Sequence, residues 1–598
     1  MSIRATGGRA SSALLAFMVC AGASGVHGQQ VYHVDDDARA GGDGLSWNRA
    51  FQDLQDALAI ATSGDEVWVA AGTYEPSVPS FRTATFSIPS GVRVYGGFDG
   101  TEASLGDRGD PFDNVSVLDG FIGPGQRVYS VVTFDGTDAA TTLDGFRIIR
   151  GEANSTGENE TSDGGGIYMT QAAATLRNLR IENNDATLAG GGLSIRDGRQ
   201  DELTIIEDCV FEGNACAADG GALAFDAPVE IRGSTFQNNT SGERGGAVFD
   251  NNPGITVISD SEFRFNEVNP TPGASGLTGA YFIERDSGQV TMSSCLFIGN
   301  RAPEDGAVSI VGNGLYEFLG CRFYGNVSES PDPTVSQAGG AINLREAIPG
   351  GSVIIDTCLF SGNFTERGRG TVVNRRFQGE LFLFNSTLSR NTVDTGPTGG
   401  VFTGVNETTM IASILWDNSG GDADPQQDNL DGTGFVDING CIIEDFFGSV
   451  AYPGSNNSDA DPMFIDADGT NNIAGDLDDN VMLRPGSPAI DSGNNLAVDP
   501  RITEDVFGNP RFFDDTGTPD TGTPDGVNPQ ADIGAAEFRF TSNCDADTNN
   551  DGQVNAADFN AWIAAFNAGA PQCDQNGDSL CDPSDFNAWV LNFNAGCD

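Results

Sequence analysis

Apolar and polar positions alternate along most of this chain in short runs, and the runs recur in a fixed order. Between Leu203 and Phe249, an aromatic is followed three residues later by an asparagine, then a polar turn, then Gly-Gly-Ala and an apolar residue. Phe211 with Asn214 leads to Gly220-Gly221-Ala222-Leu223, and Phe236 with Asn239 leads to Gly245-Gly246-Ala247-Val248. The first mark recurs at Ile181/Asn184, Phe263/Asn266, Phe297/Asn300, Phe323/Asn326, Phe360/Asn363, Leu388/Asn391 and Leu415/Asn418. The glycine mark recurs at Gly164, Gly190, Asp305, Gly339 and Gly399. Successive asparagines lie about 25 to 37 residues apart, a spacing that signals a solenoid or repeat array.

Each unit holds short β-forming runs such as Thr204-Ile205-Ile206 and Val229-Glu230-Ile231, broken by glycine and Asn/Asp turns. No unit is long enough to enclose a core, so each apolar face must be covered by the next unit. These are the coils of a parallel β-helix. Cys209 and Phe211 lie two apart and therefore share a strand face. The pair repeats as Cys295/Phe297, Cys321/Phe323 and Cys358/Phe360, with Ser234/Phe236 and Ser261/Phe263 between, which predicts an inward ladder of a small residue plus an aromatic. The asparagine tolerates left-handed backbone and can bond its counterpart in the next coil, while paired glycines permit a tight corner. Adjacent coils are about 4.8 Å apart, so Cys295, Cys321 and Cys358 can form either a disulfide or a reduced ladder.

The pattern changes at both ends. Residues 1–28 read as a secretory signal, with Arg4 and Arg9 before an apolar stretch and Val26-His27-Gly28 as a cleavage site. The mature protein is therefore expected to be secreted, and no other run approaches the length of a membrane span. Residues 47–61 place Phe51, Leu54, Leu58 and Ala61 on one helical face, predicting an N-terminal capping helix over the first coil. The β-helix is assigned to 29–540, most regular over 130–420. From 420 to 540, Asp, Asn and Gly dominate, and this stretch reads as the last, irregular coils and the C-terminal closure.

Residues 541–598 form a separate unit built by duplication. Asp558-Phe559-Asn560-Ala561-Trp562 recurs as Asp585-Phe586-Asn587-Ala588-Trp589, and Phe559, Trp562 and Phe566 share one helical face, as do Phe586, Trp589 and Phe593. Carboxylates and amides precede each helix at calcium-loop spacing. Asp547, Asn549, Asp551, Asn555 and Asp558 fall at loop positions 1, 3, 5, 9 and 12, with Gly552 at the turn and Gln553 offering its carbonyl. Asp574, Asn576, Asp578, Asp582 and Asp585 repeat the set, with Leu580 giving the carbonyl and Ser579 replacing the glycine. Calcium needs six or more oxygens around one centre, and this alternation supplies them. Nine aspartates and no basic residue occupy the tail, so a cation would relieve a large repulsion.

Charge and composition narrow the function. The net charge is -55, from 85 Asp+Glu against 30 Lys+Arg, and every basic residue is arginine. Such a polyanion repels nucleic acid and anionic membranes and attracts calcium. Only His27 and His33 exist, which removes a histidine-rich zinc site and leaves Ser-His-Asp or Cys-His catalysis one base near the N-terminus. A lyase on this chain would need arginine or tyrosine as base. Arg369, Arg375 and Arg376 cluster near one coil, where they serve equally as surface partners for the abundant acids. No catalytic residue is assigned.

The tail resembles a dockerin, the two-loop calcium module that docks onto cohesin domains or a cell-surface scaffold. It departs at the residues before the last ligand, where Ala556-Ala557 and Pro583-Ser584 replace the Ser/Thr of cellulosomal dockerins. Its ending, Ala595-Gly596-Cys597, is similar to the Gly-Cys variant of planctomycete-type secreted proteins. Cys544, Cys573, Cys581 and Cys597 suggest two disulfides of open connectivity. The Phe-x-x-Asn and Gly-Gly-Ala marks resemble those of chlamydial polymorphic outer-membrane proteins, which form right-handed β-helices linked to adhesion. The 485–538 region resembles the choice-of-anchor-like terminal region of secreted pectin-lyase-like proteins.

These resemblances imply an all-β, right-handed single-stranded parallel β-helix with a small α-helical dockerin-like domain. They imply a secreted, cell-surface-associated, non-catalytic adhesion-type protein attached through calcium to a cohesin-like or cell-envelope scaffold, in contact with extracellular glycans. The alternative is a polysaccharide lyase or glycoside hydrolase on the same scaffold, since fold does not decide activity.

Overall fold

The computed structural model describes residues 28–538, except 77–80, 156–161, 271–275, 286, 330–337, 347–350, 375–378, 397, 404–406, 422–427, 433–435 and 448–451. In the tail it describes 548, 556–568, 573, 575, 585–586, 588–590 and 593. All but the last residue of the expected leader lies outside the described residues.

Three long parallel sheets, of 15, 13 and 20 strands among the described residues, run side by side through the molecule. One coil shows how they arise. Thr204–Glu207 lies in the first sheet, Val210–Glu212 in the second, and Ala215–Cys216 with Leu223–Phe225 in the third. The next coil repeats this in register, Ile206 over Ile231, Phe211 over Phe236, Cys216 over Ser241 and Leu223 over Val248. Alternation within each strand turns Ile206, Phe211 and Leu223 into a single core that runs from Val34 to Phe446, while Cys216 is buried in a small separate cluster with Ala153 and Ala186.

The ladders are continuous. The rings of Phe211, Phe236, Phe263, Phe297, Phe323 and Phe360 stack at 4.7 to 5.0 Å with interplanar angles of 4 to 6°. Beside them Asn184, Asn214, Asn239, Asn266, Asn300, Asn326, Asn363 and Asn391 are fully buried. The Asn239 Nδ2 donates to Asn266 Oδ1 (3.0 Å) and to the Phe211 carbonyl (2.9 Å), while its Oδ1 accepts from the Asn214 main chain and side chain. The left-handed backbone expected of the asparagine belongs instead to the residue before it: Gly213 (φ 63), Asn238 (φ 55), Phe265 (φ 53) and Gly299 (φ 63). That residue turns the corner, which frees the asparagine to point inward and bond its neighbours.

The cysteine column is a reduced ladder. Cys209, Cys295, Cys321, Cys358 and Cys441 are free and buried, and the serines between them are interchangeable in role. The Cys358 Sγ accepts from the Cys321 N–H (3.3 Å), and the Ser386 Oγ accepts from the Cys358 N–H (3.0 Å). The glycine mark also has a defined reason. Gly220 is left-handed (φ 64), and a Cβ on Gly221 would lie 2.2 Å from the Gly246 carbonyl oxygen, so no other residue fits.

Two elements differ from the sequence reading. The helix expected over 47–61 is split into a 3-10 turn, Trp47–Arg49, and a short α-helix, Leu54–Leu58. Phe51 between them is extended: its N–H donates to the His33 carbonyl (2.9 Å), and its carbonyl accepts from the Asp35 N–H (2.8 Å). Pairing with the first strand outweighs helical propensity there. Leu54, Ala57 and Leu58 still face the core, against strands Val31–Val34, Glu66–Ala70 and Phe86–Ser87.

Beyond 420 the regular coils continue to Gly454–Ser455, which closes the first sheet. The chain from 459 to 538 then turns back as a strap along the outside of the second sheet. Val481, Val506, Ala535 and Ala536 cover Leu296, Ile298, Tyr324 and Leu359. Leu483, Ile490, Ile533 and Phe538 cover Ile414 and Ile442, and Val498 and Ile502 cover Leu319. Each Val, Leu or Ile side chain among these contributes about 1.5–3 kcal/mol when removed from water. Backbone bonds fix the strap, Gly534 N–H to the Ala412 carbonyl (2.8 Å) and Asp499 N–H to Asp356 Oδ2 (2.8 Å).

Candidate functional site

The tail contributes few described ligand candidates. Asp558 lies in the helix Ala556–Ala568, Asp585 is also helical, and both are fully buried. The Gln575 N–H donates to Asp585 Oδ1 (2.9 Å). Asp547, Asn549, Asp551, Gln553, Asn555, Asp574, Asn576, Asp578, Leu580 and Asp582 lie outside the described residues. The expected aromatic faces do meet: Phe559 is 5.0 Å from Trp589, Trp562 is 5.6 Å from Phe586, and Trp589 is 5.0 Å from Phe593. The Trp562 Nε1 donates to the Cys573 carbonyl (3.1 Å), and Cys573 is disulfide-bonded. Asp558 and Asp585, the residues expected to close each calcium loop, are buried carboxylates on helical segments and fit that ligand role. When bound, the ion would supply charge neutralisation and cross-link each loop to its helix.

The solenoid's exterior carries a second arrangement, along the third sheet. Residues one place ahead of the glycine corners pair coil to coil, Asp163 with Ala189, Ala189 with Asp219 and Asp219 with Arg244, then Thr278 with Asp305. Arginines lock onto these acids. Arg196 Nε lies 3.1 Å from Asp163, Arg244 bonds Asp219 at 2.6 Å and also Glu284, and Arg345 bonds Asp305 at 2.7 Å and also Glu304. The Arg244 guanidinium also lies 4.5 Å over the Phe249 ring, which stacks on Phe282. Arg196, Asp219, Asp226, Arg244, Phe249 and Glu284 line a shallow cleft. Burial works against the Arg196 and Arg244 charges, but Asp163 and Asp219 outweigh it and hold both above their usual range.

Of the arginine cluster weighed as a lyase base, one member lies among the described residues. Arg369 is half-buried on the strand Phe364–Asn374, while Arg375 and Arg376 lie outside the described residues. His33 is half-buried in the first coil, its ring edge-on to Trp47 at 4.6 Å, and burial lowers its pKa.

Two acidic triads on the strap escaped the sequence reading. One is Asp476, Asp478 and Asp479, the other Asp491, Asp514 and Asp520. The second joins residues more than twenty positions apart, and in a chain so rich in aspartate no spacing distinguishes them. The arginine–acid row did leave a signal, an acid directly before the glycine mark at Asp163, Asp219 and Asp305.

The coil geometry defines a parallel β-helix, and a model of the right-handed β-helix region matches residues 127–266 and 165–347. Among solved structures, the chain is similar to the pectate lyase Pel9A (11% identity, 86% of this chain and 97% of that one, TM-score 0.32). It is also similar to a rhamnogalacturonan lyase (13% identity, 76% and 97%, TM-score 0.27) and to the PL6 family alginate lyase AlyGC (10% identity, 71% and 86%, TM-score 0.19). No curated protein matches.

Proposed function

We propose that this is a secreted, non-catalytic surface protein whose rigid β-helix makes adhesive contacts, attached to a cohesin-like or cell-envelope scaffold through a calcium-dependent dockerin-like tail. The row of arginines on the third sheet carries the reading. Acids hold Arg196, Arg244 and Arg345 charged above their usual range, so this row supports contact with a ligand rather than proton abstraction by its own arginines. A fixed row of paired charges beside stacked Phe249 and Phe282 suits contact with a polar polymer, an extracellular glycan above all.

Purified mature protein is incubated with a panel of acidic and neutral glycans while unsaturated and reducing ends are followed. Binding without release of new ends is expected. Turnover abolished by replacing Arg369, Arg375 and Arg376 would establish the polysaccharide-degrading alternative in its place. Attachment is tested on the tail: excess chelator is expected to loosen its helices, so unchanged helical circular dichroism and melting would overturn the calcium role.

A further inference from the structure

The strap carries a feature that neither the coils nor the tail account for. Asp491 is fully buried. Its Oδ1 accepts from the Asp515 N–H at 3.3 Å, and its main-chain carbonyl accepts from the Thr521 and Gly522 N–H groups at 2.9 and 3.1 Å. Its Oδ2 has no hydrogen-bond donor. Carboxylate oxygens of Asp491, Asp514 and Asp520 nevertheless lie within 4.8 Å of one another. A buried carboxylate oxygen with no donor is costly, the two surface carboxylates beside it add repulsion, and a cation is the partner that offsets both.

The donor set selects the ion. Three hard carboxylate oxygens exclude the thiolate and imidazole metals. Calcium accepts an irregular set of oxygens from a flexible loop, whereas magnesium demands near-ideal octahedral geometry and keeps most of its waters. We propose that Asp491, Asp514 and Asp520 form a calcium site that pins the 512–530 loop to the strap. The other triad is a poorer candidate, because Asp478 already accepts from Thr470 Oγ1 (2.7 Å) and Asp476 from Asn471 Nδ2 (2.6 Å). The Asp491 N–H donates to Asp532 Oδ1 (2.7 Å), and two residues on, the Gly534 N–H bonds the solenoid at Ala412. Calcium here therefore tightens the strap's last passage over the second sheet.

Calcium bound per full-length chain is counted after equilibrium dialysis, for the native protein, for Asp514→Asn/Asp520→Asn and for the tail variant Asp558→Asn/Asp585→Asn. Asp514 and Asp520 are exposed, so their replacement leaves packing intact. The strap variant is expected to bind one ion fewer, while the tail variant keeps the strap ion. Limited proteolysis locates the effect: at calcium ten times its dissociation constant, cleavage within 512–530 slows about tenfold in the native and tail-variant proteins but not in the strap variant. A strap variant with an unchanged calcium count overturns the proposal. Loss of ions in the tail variant alone would leave the tail reading standing and refute this one.

Discussion

Asn239 shows how much one position carries when it repeats in every coil. It serves four buried polar groups, the Asn214 N–H and Nδ2, the Phe211 carbonyl and the Asn266 Oδ1. Asn239→Ala is expected to lower stability by about 3 kcal/mol or more, because these groups lose partners where water cannot reach. Denaturant unfolding measures it. Ser234 makes the opposite case. Its Oγ accepts from the Cys209 N–H (3.1 Å), a role a thiol fills elsewhere in the same column. Ser234→Cys is expected to cost about 1 kcal/mol or less, whereas Ser234→Val strands a buried N–H and costs about 1–3 kcal/mol. The spacing of Cys209 and Phe211 made this column readable in the sequence. The left-handed corner was misplaced by one residue, because Gly, Asn, Phe, Arg and Asp all occupy it and no residue type marks it.

Asp356 joins residue to element, since it ties a coil to the strap. Its carboxylate accepts from Asn385 Nδ2 (2.9 Å) and from the Asp499 N–H, and burial pushes its pKa up to about 6. A carboxyl whose folded pKa is raised stabilises the fold while protonated. That contribution is complete below the unfolded value near 4 and is lost as pH rises through about 6. Asp356→Asn is expected to remove this dependence. Native and variant unfolding free energies, compared at pH 4.5 and pH 8, should therefore show the native protein losing about 2 kcal/mol relative to the variant as pH rises.

The strap itself is the element the sequence hid, though a trace of it was present. Uncovered coils of the second sheet flank their aromatic with polar residues, Thr235 and Gln237 or Glu262 and Arg264. Beneath the strap the flanks turn apolar, Leu296 and Ile298 around Phe297, and Leu359 before Phe360. Loss of alternation means burial on both faces. Ending the chain at 458 should leave the parallel-sheet circular dichroism intact while exposing Leu296, Ile298, Tyr324 and Leu359. Increased binding of a hydrophobic dye, together with self-association, checks this. The N-terminal helix differs for a related reason: the period at 47–61 is helical, but the outer edge of the first strand, Val31–Val34, claims Phe51.

At the scale of the molecule, the coils follow from repetition alone. Each ring and amide of the ladders meets its own kind one coil away, and each thiol a thiol or a serine, so the β-helix was legible from two marks in the sequence. The tail's aromatic faces were legible for the same reason, being a duplicated pattern. What repetition does not encode is the strap, which crosses many coils once.

That single crossing changes how the rod should bear load. Pulled from its N-terminal end, the early coils have only their immediate neighbours to hold them and should peel off one by one. From the coil of Leu296 to that of Ile442, the strap acts as a splint along the shaft. A force trace should therefore show a run of small, evenly spaced steps followed by one large rupture.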